Sequence, residues 1–346
     1  MSELDKGPKG ILRSGWTARV DEYAIAGAWA CGDDVFVVGD ATGSVYGFNG
    51  KSGAALWTER DTHGDGLLAL AVHPNGATVA TGGQDGCVHI RDARSGTLER
   101  TLDLGDGWVE NLAWSHDGTA LAASSGRKVF VDRGPSSDRW ATDDHPSTVS
   151  AVVWSGAEEL ATASYSRVSF FDTQSGELQQ KLEWKGSLVS MVLSPDGDIV
   201  ACGSQDNSVH FWRRSTGKDS MMSGYPLKPA SLSFDGTGTF LATGGSQSPV
   251  IWSFKGEGPE GTEPGVLELH AAPITELSFS RRGLRLASGD RDGAVVVWGV
   301  RDDGSGSPIG AALVYNLVES LSWRSDGRGL VALDAGGNVT SWRVKD

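Results

Sequence analysis

The chain has 346 residues, 39 % of them hydrophobic, with 13 Trp, 48 Gly and 12 Pro, and it carries a net charge of −14 with a sequence pI near 4.9. The apolar content suffices for a core, whereas the acidic balance speaks against a nucleic-acid or anionic-membrane partner, either of which requires a basic stripe, so neither is expected. Cys31, Cys87 and Cys202 are scattered without CxxC spacing, the first ten residues are polar and no run of 18 apolar residues occurs, so the sequence reads as a reduced, soluble, cytoplasmic protein with no membrane span.

Residues 1–9 read as a loose tail. Residues 11–20 (ILRSGWTARV) read as a solitary β-strand, and from residue 24 onward one pattern repeats. Each repeat opens with a short apolar run ending on Trp29, Val72, Trp114, Trp154, Leu193, Phe234, Phe279 or Trp323, at spacings of 39 to 45 residues with a mean of 42. A polar turn follows each of these anchors (HPNG, SHDG, SPDG, SRRG among them), then a second apolar run, a third, and a more polar fourth. The units fall at 24–60, 67–104, 108–144, 148–184, 188–224, 229–270, 273–316 and 317–344. The last has three runs only, while Gly15-Trp16-Thr17-Ala18-Arg19 matches the fourth run of the first, Leu56-Trp57-Thr58-Glu59-Arg60. Residues 11–20 are therefore expected to complete the last unit, since an uncompleted array leaves an unpaired sheet edge in water.

A β meander recurring near every 42 residues has the period of a β-propeller. The unit around 270–298 carries His270, Ser288, Asp292 and Trp298, at steps of 18, 4 and 6 residues. Another repeats His63, Thr81 and Asp85 at the same spacing, with Arg91 in place of Trp; the strings LATGGS, VATGGQDG and VACGSQDN recur elsewhere. On these residues the chain resembles the WD40-repeat family over about residues 24–344. The resemblance implies an all-β, single-domain propeller spanning 1–346. Counting periods predicts eight four-stranded blades, with seven as the alternative, closed by 11–20 in the last blade. It further implies that the His, Ser/Thr, Asp and Trp side chains form a structural relay inside a blade. Recurrence at the structural period supports that role over hydrolytic chemistry, because an active site is needed once.

No HxH, HExxH or Cys/His cluster pattern stands in the sequence, so no metal or cofactor is expected. Surface recognition remains. The expected function is a non-catalytic protein-interaction scaffold that holds a partner segment on the face carrying the fourth-to-first and second-to-third loops. On that face Glu110 and Glu319, each four residues before an anchor, suit a basic side chain. Gln84, Gln205 and Arg291 precede turns, and Trp108, Trp184 and Tyr225 offer aromatic anchors in connecting loops. The partner is then another protein or peptide of basic character, bound by a monomeric propeller or within a hetero-complex. Zinc handling or small-ligand binding is one alternative reading, and an enzyme with its site at the channel mouth is the other.

Overall fold

The computed structural model describes residues 7–134 and 139–345, and among these all regular structure is β apart from one 3-10 turn, Cys31–Asp33. No helix of the described residues is long and apolar enough to cross a membrane. The chain divides into two compact units: Val20–Met191, and the N-terminal stretch to Arg19 together with the chain from Val192 onward.

In the Val20–Met191 unit the first three sheets are antiparallel meanders. Their strands are Ala24–Ala30, Val35–Asp40, Val45–Asn49 and Ala55–Glu59; Leu67–Val72, Thr78–Gly83, Cys87–Asp92 and Leu98–Asp103; and Val109–Trp114, Leu121–Ser125, Lys128–Asp132 and Trp140–Ala141. Burial explains the sequence of each strand. Second strands such as VFVVGD and LAASS are buried at every position, so both faces are apolar or small. Fourth strands such as LERTLD alternate between half-buried and exposed, as sheet edges in water do. The apolar faces meet in clusters between successive sheets: Val37, Val45, Leu67 and Val79 form one, Val88, Ile90, Val109 and Leu121 the next, and Val129, Val131, Val152 and Trp154 another. Anchor tryptophans latch these layers together. The Trp114 indole donates to the Ala71 carbonyl at 3.3 Å and Trp154 to Ala113 at 2.8 Å, each reaching the residue just before the preceding anchor.

The other unit contains a sheet of Leu232–Phe234, Phe240–Thr243, Val250–Ser253 and Gly265–Val266. A second comprises Ile274–Phe279, Arg285–Asp290, Ala294–Val300 and Gly306–Leu313. In a third, Val318–Trp323, Gly329–Asp334 and Asn338–Val344 are completed on the outside by Leu12–Arg19, with Leu12 opposite Val344 and Arg19 opposite Asn338. Leu12, Val318, Leu330, Trp342 and Val344 share one buried cluster, and Trp323 donates to the Ser278 carbonyl at 2.9 Å in the same latch geometry. Residues 1–6 of the expected loose tail lie outside the described residues, but its end is not loose. Lys9 and Gly10 pair with Ala311 and Gly310 as a fifth strand on the neighbouring sheet.

Among the described residues the strands form seven hydrogen-bonded sheets, which corrects the expected count of eight four-stranded blades to the seven of the alternative. The cause is local. The repeats at 148–184 and 188–224 lie in one six-stranded sheet, because the strand Leu178–Leu193 runs unbroken through the junction between them. Glu159–Asp172 is likewise unbroken, although it holds both a second and a third run; Ser166, at φ 62°, turns the chain so that Thr162 Oγ1 faces the Ser169 carbonyl at 3.4 Å.

Candidate partner-binding loops

The relay residues set what is left exposed. His270 donates from Nδ1 to Asp290 Oδ2 at 2.7 Å and accepts at Nε2 from Ser288 Oγ at 2.7 Å; Ser288 Oγ in turn accepts from Trp298 Nε1 at 2.7 Å. The carboxylate is Asp290, not the expected Asp292. Asp290 ends its strand, where Oδ1 also takes the backbone N–H groups of Asp292 and Ala294 at 2.9 Å, whereas Asp292 is exposed in the turn. In the repeat of His63 the position equivalent to Asp290 is Gly83, where a Cβ would stand 2.5 Å from the imidazole. There the turn residue Asp85 serves instead: His63 Nδ1 lies 3.0 Å from Asp85 Oδ1 and Nε2 lies 2.9 Å from Thr81 Oγ1. His145 keeps Thr162 at 2.8 Å and gives Nδ1 to the Arg127 carbonyl at 3.0 Å.

Tyr225 belongs with this group and is not an exposed loop anchor. It is buried, its hydroxyl is 2.8 Å from Thr243 Oγ1, and it accepts from Trp252 Nε1 at 2.8 Å. Tyr225 and Thr243 are 18 residues apart, as are His270 and Ser288, so a phenol occupies the imidazole's place. The imidazole and phenol groups of these sets are turned onto another member or, for His145 Nδ1, onto the Arg127 carbonyl, which gives buried donors and acceptors their partners. Trp184 is also misplaced by the sequence reading: it lies half-buried within the strand Leu178–Leu193.

In an antiparallel meander the start of strand one, the turn between strands two and three, and the end of strand four share one end of the sheet. Within Val20–Met191 that end presents Trp108, 52 % exposed, just before Val109–Trp114, and half-buried Gln84 after Thr78–Gly83. It also presents two aromatics that sequence reasoning missed, Tyr165 at 52 % exposure in the Ser166 turn and Tyr23 just before Ala24–Ala30. The corresponding ends in the other unit carry exposed Gln205 and Arg291, and Tyr315 at 86 % exposure before Val318–Trp323. The missed tyrosines all precede a first strand or sit in a second-to-third turn, a positional signal present in the sequence.

The residues four before the anchors have a shared geometry. Ile25, Leu68, Glu110, Thr275 and Glu319 each sit where the register slips by one, as the extra residue of a β-bulge near the start of the first strand. A bulge frees a residue from the ladder and re-aims its side chain. Among these five, Glu110 is exposed and the others are half-buried. Beside Glu319, in the same unit, lies a carboxyl group the sequence reading passed over. Half-buried Glu276 accepts from Ser231 Oγ at 3.2 Å; its pKa is pushed up to about 8, chiefly by burial and further by the charge of Glu319. Other repeats hold Ala, Ser or Asn at that position.

A cleft of about 530 Å³ in the Val20–Met191 unit, lined by His73, Arg100, Trp114 and Asp132 among others, lies toward the opposite turns, and an Arg100–Asp132 ion pair occupies its wall. Expected metal ligands were none, but Asp85, Cys87 and His89 place one donor atom each within 4.8 Å of one another.

The model described as WD domain, G-beta repeat matches residues 261–299, the segment containing the complete relay, and the PQQ_2 model, described as outer membrane protein assembly factor BamB, matches residues 13–221. The chain belongs to the WD40-repeat β-propeller family, and over residues 13–221 to the PQQ_2 family. The WD40 chain is 28 % identical over 290 residues to autophagy-related protein 16 of Arabidopsis thaliana, covering 81 % of this chain and 56 % of that one. Among solved structures, the computationally designed Ika8 protein aligns with a TM-score of 0.82 at 20 % identity, over 96 % of this chain and all of its own. The RRP9 WD40 repeats align with a TM-score of 0.63 at 14 % identity, over 81 % and 94 %. At those identities the likeness is one of fold. The chain spans between 32 % and 64 % of the length of eight curated relatives that it matches.

Proposed function

We propose that this WD40 protein is a non-catalytic scaffold that holds a segment of another protein on the loop ends of its sheets. The observation that carries the reading is the exposure of Trp108 and Tyr165, both 52 % exposed, on loops that open toward the same end of their own sheets. Large aromatics with a polar tip combine apolar area and hydrogen bonding, which is why they anchor interfaces. Glu110, freed by its bulge, gives that rim a negative charge, so the partner segment is basic where it meets it. Non-catalysis rests on the relay: its hydroxyls and imidazoles are consumed by one another, and the arrangement recurs in several repeats. The protein works as a monomer or as one member of a hetero-complex in the cytoplasm, a setting consistent with three free cysteines.

The test is affinity capture of partners by wild type, by a Trp108→Ala/Tyr165→Ala variant, and by His116→Ala at the opposite turns. The reading predicts a set of proteins lost with the loop-end variant and retained with His116→Ala. Equal retention by all three, with each variant as stable as wild type, would refute the choice of surface.

A further inference from the structure

We propose that Asp85, Cys87 and His89 form a binding site for a single divalent cation of the zinc class. Cys87 and His89 are alternate residues of strand Cys87–Asp92, so their side chains leave the same face of the sheet, and Asp85 stands in the turn just before it. One donor atom from each, carboxylate oxygen, thiol sulfur and imidazole nitrogen, lies within 4.8 Å of the other two. The carboxylate is already fixed: Asp85 Oδ1 accepts from the Cys87 backbone N–H at 3.0 Å and faces His63 Nδ1 at 3.0 Å. His63 also holds the third ligand, its ring stacked on that of His89 at 4.5 Å between centroids and 20° between planes. Outer partners that orient ligands in this way are a normal part of metal sites.

A second observation points the same way. His89 Nδ1 is buried and has no hydrogen-bond partner among the described residues. A neutral imidazole in that position holds a lone pair or an N–H that nothing answers, which is unfavourable for a buried polar group. A bound cation would answer it.

The donor set selects the metal. Magnesium and calcium want oxygen alone, whereas sulfur, nitrogen and oxygen together suit zinc. Bond lengths of about 2.0–2.3 Å would bring the donors to within roughly 3.3–3.8 Å of each other. Side-chain rotation on a fixed strand supplies a contraction of about 1 Å. The fourth position is open to water. Arg91, two residues on, brings a nearby positive charge, offset by Glu59 Oε2 at 3.8 Å, and Asp103 stands opposite Cys87 across the strand pair. Binding converts the Cys87 thiol to a metal thiolate and releases its proton, with no change in oxidation state.

The experiment uses the purified full chain, stripped with chelator and titrated with Co²⁺ as a coloured probe and then with Zn²⁺ by calorimetry in two buffers. The expected result is one equivalent bound, thiolate-to-cobalt charge-transfer absorption, release of about one proton, and a rise in melting temperature with Zn²⁺. Cys87→Ser and His89→Ala should each lose the absorption and the thermal shift; Cys31→Ser should keep both. Metal-free melting of each variant, compared with wild type, shows that it folds. No charge-transfer band in wild type, or equal Zn²⁺ binding by folded Cys87→Ser, would overturn the proposal.

Discussion

Tyr225 shows how much a single buried hydroxyl holds in place. It links Thr243 and Trp252, each 2.8 Å away, and removing it leaves the indole N–H without its acceptor. Tyr225→Phe is therefore expected to lower unfolding free energy by about 1–3 kcal/mol, read as a shift in denaturant midpoint at unchanged slope. Glu276 behaves in the opposite sense and carries a pH signature. Its folded pKa of about 8 lies above the ordinary carboxylate value, so between about 4.5 and 8 the folded state binds more protons than the unfolded one and stability falls as pH rises. Buried His145 and His210 run the other way: burial lowers both, His210 to about 4, so their contribution is complete above the ordinary imidazole value and is lost as pH falls toward 4. Glu276→Gln separates the two. The variant should gain stability relative to wild type at pH 8, with the gain shrinking toward pH 5; an equal effect at both pH values would contradict the shift. At this scale the sequence was legible in spacing but not in identity. The step of 18 residues that joins His270 to Ser288 also joins Tyr225 to Thr243, yet with no His at its start the pair was not legible and Tyr225 read as a loop aromatic. Asp290 and Asp292 both fit the pattern, and only the end of the strand decides between them.

At the scale of elements, the third-to-fourth turns show why the repeats need their glycines. Asp92 Oδ1 accepts from Arg94 N, Ser95 N and Ser95 Oγ at 2.7–3.1 Å, folding a turn whose Gly96 has φ 75°. Trp57, on the outer strand of the preceding sheet, lies against it. Its indole donates to the Ala93 carbonyl at 3.2 Å, and a Cβ on Gly96 would stand 2.7 Å from its ring. Trp140 meets the turn at Gly176 in the same manner, donating to Thr173 at 3.0 Å. Gly217 has a similar φ, 68°, with open space around it. Gly96→Ala should thus cost more than Gly217→Ala, about 2–4 kcal/mol against about 1, because strain and collision add in the first and strain acts alone in the second. Equal midpoints for the two variants would refute the docking argument. The strand Leu12–Arg19 invites a similar comparison. Removing residues 1–8 should leave the melting temperature unchanged, whereas removing 1–19 uncovers the edge of Asn338–Val344 and should make the protein protease-sensitive and aggregation-prone. This strand was readable by matching its Trp16 with Trp57. The unbroken Leu178–Leu193 was not, because the repeat pattern predicts a loop there, while WKGSLVS lacks the Pro or Asn that would stop a strand.

For the whole molecule, the period of about 42 residues made the family and the all-β class legible before any coordinates, since period-2 apolar runs and turn residues recur in every unit. The binding residues were less legible, because a rim position is defined by what neighbouring loops leave uncovered, which no local pattern records. Trp108 and Tyr165 have similar exposure, but only the tryptophan stands out in the sequence. The scaffold reading is tested most directly by amide hydrogen exchange of the full chain with and without its captured partner. Protection on binding should concentrate in the loops around Tyr23, Gln84, Trp108 and Tyr165, leaving the opposite turns at 73–77 and 115–119 unchanged. Protection confined to those opposite turns, or to outer strands such as Leu98–Asp103, would contradict it.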